Sequence, residues 1–331
     1  MTLKPPAASV EAPRVKRLLL MLLALVMAAS PALATGTSRS LPGSSCPAFP
    51  ANSYWHADIS ALPLNPRSAQ WLSHMSPTRT LHPDFGPSYG AQSVPYGIPI
   101  TYVTKYHPRV GVYFDYPAES DRIGYPLGSD TKIEGGQMTS GDRHAVIVDT
   151  SVCRLYETWA THKNGATWYA GSGATWWLTS NALRPSGWTS ADAAGLPILP
   201  GLLRYDEVAA GHVDHAIRFT TDKTDRRFIW PARHQAGSVS DPTYPPMGAR
   251  FRLKKSYNPT GLRADTLTVI RAMKAYGLVL ADNGSPWYFQ GTQDTRWQAA
   301  MLDQLKAIPA SAFEAVDTSK LMVNANSAQS R

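Results

Sequence analysis

The sequence has few charged residues, only two cysteines and, beyond its N terminus, no long apolar run. Charged residues make up 17% and hydrophobic residues 43% of the 331 positions, whereas average proteins have ~25% charged residues. This composition excludes a disordered chain, and the lack of further apolar runs of about 20 residues excludes a polytopic membrane protein. Phosphate-loop, dinucleotide-binding and nucleophilic-serine motifs are missing as well.

Proline and aromatic residues are abundant instead. The chain has 27 prolines, 10 tryptophans and 15 tyrosines, which is typical of a loop-rich β protein. The formal net charge of +8 falls when the N-terminal segment described next is removed, and no Lys/Arg block occurs. We therefore expect no nucleic-acid partner.

The first 34 residues have the pattern of an export signal. Basic residues precede the apolar run Leu18–Ala29, and Ala32-Leu33-Ala34 supplies a cleavage pattern. A retained N-terminal anchor is the alternative, but the run is short for a membrane span. We expect a secreted or periplasmic protein without stable membrane insertion after cleavage. In an oxidising compartment, Cys46 and Cys153 would form one disulfide, and two free thiols are the alternative.

Composition divides the remaining chain into three parts. Residues 35–48 predict a flexible lead-in, residues 49–316 a single domain, and residues 317–331 a polar, disordered tail. Short β-like runs dominate the domain, and helical spacing occurs only near 65–75, 262–276 and 294–308. The pattern predicts a mainly β fold, namely a jelly-roll-like β-sandwich with two or three peripheral helices.

Acidic residues on or beside these strands are the candidate catalytic groups. Glu157 lies in an aromatic strand where burial would raise its pKa, so it is the first candidate acid, although a solvated surface glutamate is the alternative. Glu207 or Asp149 would be its partner, and His215 would tune the pKa of a neighbouring acid or serve only as a structural hydrogen-bonding group. Paired carboxyl groups of this kind predict a glycoside hydrolase acting on a polysaccharide.

Aromatic and basic side chains provide candidate substrate contacts. Flat indole faces bind sugar rings, and the candidates are Trp168, Trp176, Trp188 and Trp230, although most tryptophans are expected in the core. A lyase acting on uronate polymers is a variant, with His215 and Tyr156 as base and acid and Arg218 neutralising the sugar carboxylate. The competing class is a non-catalytic glycan-binding or cell-envelope structural protein.

The sequence gives little support for a metal or cofactor. His144, His215 and His234 lie in apolar or aromatic surroundings, but their spacing is long and includes no short ligand pair. A metal-dependent enzyme is therefore only an alternative, and we expect neither a metal nor a cofactor.

Several phrases of the chain together resemble a group of exported bacterial β-rich proteins without an assigned activity. They are Phe49-Pro50, His82-Pro83-Asp84-Phe85-Gly86, Glu134-Gly135-Gly136, Gly141-Asp142-Arg143-His144, Cys153-Arg154-Leu155-Tyr156-Glu157, Trp188-Thr189-Ser190-Ala191-Asp192 and Trp230-Pro231-Ala232-Arg233-His234. The resemblance covers most of residues 49–315. It implies export and a β-rich fold, and it implies no catalytic residue.

Overall fold

A computed structural model of the chain describes residues 1–4, 39–89 and 94–331. The apolar run and the cleavage pattern of the predicted export signal lie outside the described residues. The contacts between residues divide the chain into two compact units, Met1–Ala32 and Leu33–Arg331. Every element described below belongs to the second unit.

The described residues form four α-helices and fifteen mostly short strands. The helices are α1 (Ser68–Ser73), α2 (Tyr205–Ala209), α3 (Ala264–Ala275) and α4 (Ala299–Lys306). The strands are β1 (His82–Pro83), β2 (Gly86–Tyr89), β3 (Val94–Tyr96), β4 (Ile100–Val103), β5 (Val112–Phe114), β6 (Ala145–Asp149), β7 (Arg154–Trp159), β8 (His162–Asn164), β9 (Thr167–Ala170), β10 (Ser172–Trp177), β11 (Ile217–Thr221), β12 (Arg250–Leu253), β13 (Leu278–Asn283), β14 (Tyr288–Phe289) and β15 (Phe313–Val316). The prediction of a mainly β fold with few helices is confirmed.

The larger sheet has six strands in the order β1-β14-β11-β13-β12-β15. Strands β11 and β13 at its centre are parallel, with Ile217 opposite Leu278. Residues 278–281 are apolar and fully buried, as expected of a strand that is covered on both faces. Met273 of α3 and Leu305 of α4 belong to the same hydrophobic core as these residues, so the two helices help to cover this sheet.

A second sheet has four strands in the order β10-β7-β6-β4. Side chains alternate between its two faces. Val146, Val148 and Leu155 join one hydrophobic cluster, whereas Ile147 and Tyr156 join another. Both faces of β6 and β7 are therefore buried, and any polar side chain on these strands needs a partner.

The jelly-roll detail of the prediction is not confirmed. A jelly roll pairs antiparallel strands, whereas four pairs in the described chain are parallel: β1–β14, β11–β13, β4–β6 and β5–β9. Two further small sheets, β2-β3 and β5-β9-β8, complete the architecture. The amino-acid composition of short strands carries no information on strand direction, so the sequence did not predict these parallel pairs.

The described part of the predicted flexible lead-in is packed. Leu41 and Cys46 are buried, and a disulfide joins Cys46 to Cys153, the residue directly before β7. The predicted disulfide is confirmed. Because the bond fixes this segment against the four-stranded sheet, the expectation of flexibility is wrong for residues 39–48.

The prediction of a disordered tail is also wrong. Leu321 and Ser330 are buried, the Ser330 N–H donates to the carbonyl of Asn52 at 2.8 Å, and Trp230 Nε1 donates to the carbonyl of Ser327 at 2.9 Å. The polar composition of residues 317–331 suggested disorder, but the polar backbone of this segment is bonded to neighbouring chain rather than to solvent alone.

Candidate functional site

The structure separates two of the carboxyl groups that the sequence pairs as acid and base. Glu157 lies opposite Val146 in the ladder between β6 and β7, and Asp149 lies three residues further along β6. Because side chains alternate along a strand, Glu157 and Asp149 leave opposite faces of the sheet. Asp149 is instead paired with Arg109 at 2.5 Å, so the pairing of Glu157 with Asp149 is wrong.

Glu157 is fully buried. Its carboxyl group accepts backbone hydrogen bonds from Ile198 at 2.9 Å and Leu199 at 2.8 Å. Burial raises the pKa of Glu157 to about 7, against the effect of these two bonds. The expected rise in pKa is therefore present and the surface alternative is wrong, but a carboxyl group without exposed surface does not reach a polymer substrate.

Glu207, on α2, is paired with the buried side chain of His215. Glu207 Oε2 lies 3.1 Å from His215 Nε2, and Oε1 accepts a bond from Arg204 at 2.5 Å. Burial alone would raise the pKa of Glu207, but the charges of Arg204 and His215 lower it to about 2. The arrangement therefore favours the structural interpretation of His215.

The predicted aromatic platform is mostly core. Trp168 and Trp176 are buried, Trp188 lies beneath the guanidinium of Arg184, and Trp230 packs edge-on against Tyr54. Tyr156, the predicted lyase acid, is buried on the face opposite Glu157, under Arg109 and Arg154. These side chains are held by the protein itself, because large flat rings are also the most effective core fillers.

Arg218 is the predicted residue that leads to a different site. It is buried on β11, and its Nε and Nη2 donate to the two carboxylate oxygens of Asp192 at 2.9 and 2.7 Å. A second carboxyl group, that of Asp282 on β13, lies 3.8 Å from Nη2. The parallel pairing of β11 with β13 brings these groups together.

His144 and Glu134 form the opposite wall of this site. His144 lies directly before β6, and its Nδ1 is 2.6 Å from Glu134 Oε2. Burial alone would lower the pKa of His144, but the adjacent Glu134 carboxylate raises it to about 9. Its Nε2 is buried and has no hydrogen-bond partner among the described residues. His144 is therefore an imidazolium at neutral pH with one free N–H.

Both walls line an open space of about 230 Å³ between the two larger sheets, which we call the inner cavity. Its lining includes Asp84, Glu134, Asp142, His144, Arg218, Asp282, Ser285, Tyr288 and Gln290. Asp282 has 27% of its side chain exposed. Burial, reinforced by the charge of Asp192, raises the pKa of Asp282 to about 8 even though Arg218 and His144 lower it.

Neighbouring charges add to the effect of burial. The carboxyl groups of Glu134, Asp142, Glu157, Asp192 and Asp282 interact with one another or with the two cations Arg218 and His144. Ionising every one of these carboxyl groups in a poorly solvated region is unfavourable. The two with raised pKa values are Glu157, which is sealed, and Asp282, which faces the inner cavity.

A larger space of about 400 Å³, the outer cavity, adjoins the inner one. The two share Asp142, Asp282 and Asn283 in their linings, and the outer cavity adds the aromatic rings of Tyr116 and Trp159. The Trp159 indole N–H points to Asp142 Oδ1 at 3.4 Å. Together the cavities form a groove whose carboxyl groups Asp142 and Asp282 are shared by both parts and whose outer part adds Tyr116 and Trp159.

Sequence reasoning missed most of this groove. Asp142, Asp282 and Trp159 were not among the predicted site residues, and only Arg218 of that set lines the inner cavity. One signal was available: Asp282-Asn283 ends an otherwise apolar strand, and Asp142 lies three residues before another, β6. Polar residues at the ends of buried strands are where a site between two sheets has to form.

The three histidines considered as metal ligands are dispersed. His215 pairs with Glu207, and His234 bonds the carbonyl of Ala193. Among residues 1–4, 39–89 and 94–331, no group of three or more His, Cys, Asp or Glu side chains is arranged to hold a metal ion. Likewise, no helix in this part of the chain is long and apolar enough to cross a bilayer.

Comparison of the chain with known protein families, with characterised proteins and with solved structures finds no match. The resemblance to exported β-rich proteins therefore stays a prediction, and the function has to be argued from the groove itself.

Proposed function

We propose that the protein hydrolyses a polysaccharide in this groove, with Asp282 as the general acid. The observation that carries the proposal is the state of Asp282, a carboxyl group that holds its proton to a pKa of about 8 and opens to the inner cavity. Protonation of a glycosidic oxygen needs such a group, and an acid of this kind contributes a rate factor of about 10² to 10⁴.

Asp142 is the second carboxyl group of the proposed pair. It is exposed, lines both cavities and forms no ion pair with any described residue. A base or nucleophile needs this accessibility, which the buried Asp192 lacks. Glu134 is less suitable because His144 holds it in an ion pair.

The outer cavity supports a polymeric substrate. Tyr116 and Trp159 add aromatic surface beside Asp142, and aromatic rings bind the apolar faces of sugars. Its volume of about 400 Å³ lies within the range of about 300–1,000 Å³ for small-molecule sites. Residues of a sugar chain on either side of the cleaved bond would occupy the two cavities.

We further propose that the protein acts outside the cytoplasm. The Cys46–Cys153 disulfide and the export pattern of the first 34 residues support this location, because disulfides persist mainly in oxidising compartments.

The test is incubation of the purified protein with neutral, acidic and amino polysaccharides, followed by measurement of new reducing ends. We expect hydrolysis of one class, with the rate falling as pH rises through about 8 because Asp282 then loses its proton. Asp282→Asn should lower kcat at least about 100-fold, and Asp142→Asn should do the same. Asp303→Asn, an exposed residue on α4, is the matched control and should retain full activity.

Retained binding of a polysaccharide without new reducing ends would replace this proposal with the non-catalytic glycan-binding function. Formation of unsaturated uronates, detected by ultraviolet absorbance, would indicate the lyase variant instead. Arg218 argues against that variant, because Asp192 already occupies two of its donors and leaves little positive charge for a sugar carboxylate.

A further inference from the structure

The inner cavity is acidic although the whole chain has a formal net charge of +8. Its two cations are compensated within the protein, since Arg218 is bonded to Asp192 and His144 to Glu134. Asp84 and Asp142 remain. The Tyr96 hydroxyl donates to Asp84 Oδ1 at 2.6 Å and the Trp159 indole N–H points to Asp142 at 3.4 Å, but both donors are neutral, and no described cation forms an ion pair with either carboxyl group. A ligand that enters this cavity therefore meets uncompensated carboxyl groups, which repel an anion and attract a cation.

Gln290 provides an independent observation at the same place. It is 5% exposed, lines the inner cavity, and its Nε2 lies 3.4 Å from Asp84 Oδ2. A carboxylate only accepts hydrogen bonds, so the amide nitrogen has to face Asp84. This orientation leaves Oε1, which is buried and has no partner among the described residues, as an acceptor for a ligand.

A ligand that donates a hydrogen bond in the inner cavity would satisfy this atom. A buried acceptor without a partner is costly, so such a ligand gains affinity by relieving that cost. An ammonium group has three N–H donors and a positive charge, so it satisfies Gln290 Oε1 and the Asp84 carboxylate together. An acetamido group has a single N–H and no charge, and a uronate carboxylate has neither a donor nor the right sign.

His144 completes the recognition of a sugar. His144 lines the inner cavity, and its buried Nε2 has no partner among the described residues; as a donor it suits a ring or hydroxyl oxygen rather than an ammonium. The cavity therefore offers acceptors from Asp84 and Gln290 and a donor from His144, which is the complement of an amino sugar.

We infer that the substrate of the proposed hydrolase is a polymer of amino sugars with free amino groups, one ammonium of which binds between Asp84 and Gln290. This inference rests on the proposed function for its catalytic part, but the binding it describes is measurable without turnover.

The experiment is calorimetric titration of the Asp282→Asn variant with hexamers of glucosamine, N-acetylglucosamine and galacturonic acid. The glucosamine hexamer should bind at least tenfold more tightly than the other two. Adding Asp84→Asn or Gln290→Leu should weaken its binding at least tenfold, whereas adding the control Asp303→Asn should leave it unchanged. Thermal unfolding of each variant establishes that it folds, and the Gln290 variant provides the test if the Asp84 variant does not.

Equal binding of the glucosamine and N-acetylglucosamine hexamers would overturn the inference, as would full affinity in both the Asp84 and the Gln290 variants. The failures of the two proposals are distinguishable. Tight glucosamine binding with no hydrolysis by the unmodified chain would leave the recognition correct and the hydrolase wrong. Hydrolysis of a neutral or uronate polymer without glucosamine binding would leave the hydrolase correct and the amino-sugar inference wrong.

Discussion

Replacing Asp282 with asparagine should remove activity and stabilise the protein at the same time. In the unfolded chain Asp282 titrates near 3.8, whereas in the folded protein its pKa is about 8. Between these values the folded state holds a proton that the unfolded state releases, so the contribution of this group to stability falls as pH rises. An asparagine has nothing to titrate and lacks this penalty.

The magnitude follows from the size of that interval. At pH 7, about three pH units above its ordinary pKa, Asp282 is still protonated in the folded state. At 1.36 kcal/mol per unit, this lowers the free energy of unfolding by about 4 kcal/mol. Because 27% of the side chain is exposed and its neighbours titrate with it, we expect about half of this value. A gain of about 2 kcal/mol corresponds to a rise in Tm of about 4 °C in a chain of this size.

The assay is thermal and urea unfolding of the unmodified chain and Asp282→Asn at several values between pH 4 and pH 8.5. The gain in free energy of unfolding should be smallest near pH 4, grow as pH rises, and level off above about pH 8. Asp303→Asn, which is exposed, should show no pH-dependent difference. A gain that does not change with pH, or a variant that becomes relatively less stable as pH rises, would refute the assignment of the raised pKa to Asp282.

Three further perturbations test the supporting structure. Replacing Cys46 and Cys153 with serine removes a covalent link between residues 107 apart. We expect the free energy of unfolding, measured with urea, to fall by about 4 kcal/mol. Reduction of the disulfide in the unmodified chain should give the same loss. Arg218→Ala leaves the buried carboxyl group of Asp192 without its two donors and should lower the free energy of unfolding by about 3–5 kcal/mol. Arg122→Ala on the exposed surface should leave this free energy almost unchanged. Equal losses in the two variants would contradict the buried ion pair of Arg218 and Asp192. Glu207→Gln should cost about 3 kcal/mol at neutral pH, because the pKa of Glu207 is lowered from 4.5 to about 2. That contribution is complete above about pH 5 and disappears as pH falls towards 2, so the stabilities of the two proteins should converge in acid.

The sequence predicted the elements of the fold better than their arrangement. Short β-like runs indicated the mainly β fold, and helical spacing over 262–276 and 294–308 marked α3 and α4. These are local signals, because each element carries its own apolar pattern. Pairing direction depends on how distant segments meet, so the parallel pairs of β11 with β13 and of β4 with β6 left no trace in local composition.

The candidate site shows the same limit more strongly. Glu157 and Glu207 were predicted as catalytic because each lies beside aromatic or basic residues. The same neighbours also occur around buried carboxylates that have only a structural role. Asp142 and Asp282 are 140 positions apart and line the same cavities because the fold brings the segment before β6 close to the end of β13. Arg218 was predicted to neutralise a sugar carboxylate; it lines the inner cavity, but its bonds to Asp192 change what it can bind.

The packing of the last fifteen residues has a practical consequence for handling the molecule. The amide of Arg331 bonds the carbonyl of Leu321 at 3.0 Å, and Ala328 exchanges backbone bonds with Tyr54 and Asn181. Deleting these residues would expose Trp230 and remove the hydrogen-bond partners of Asn52 and Tyr54 near the beginning of the domain. Variants that lack this segment should therefore unfold more easily than the unmodified chain, although its polar composition alone would suggest that it is dispensable.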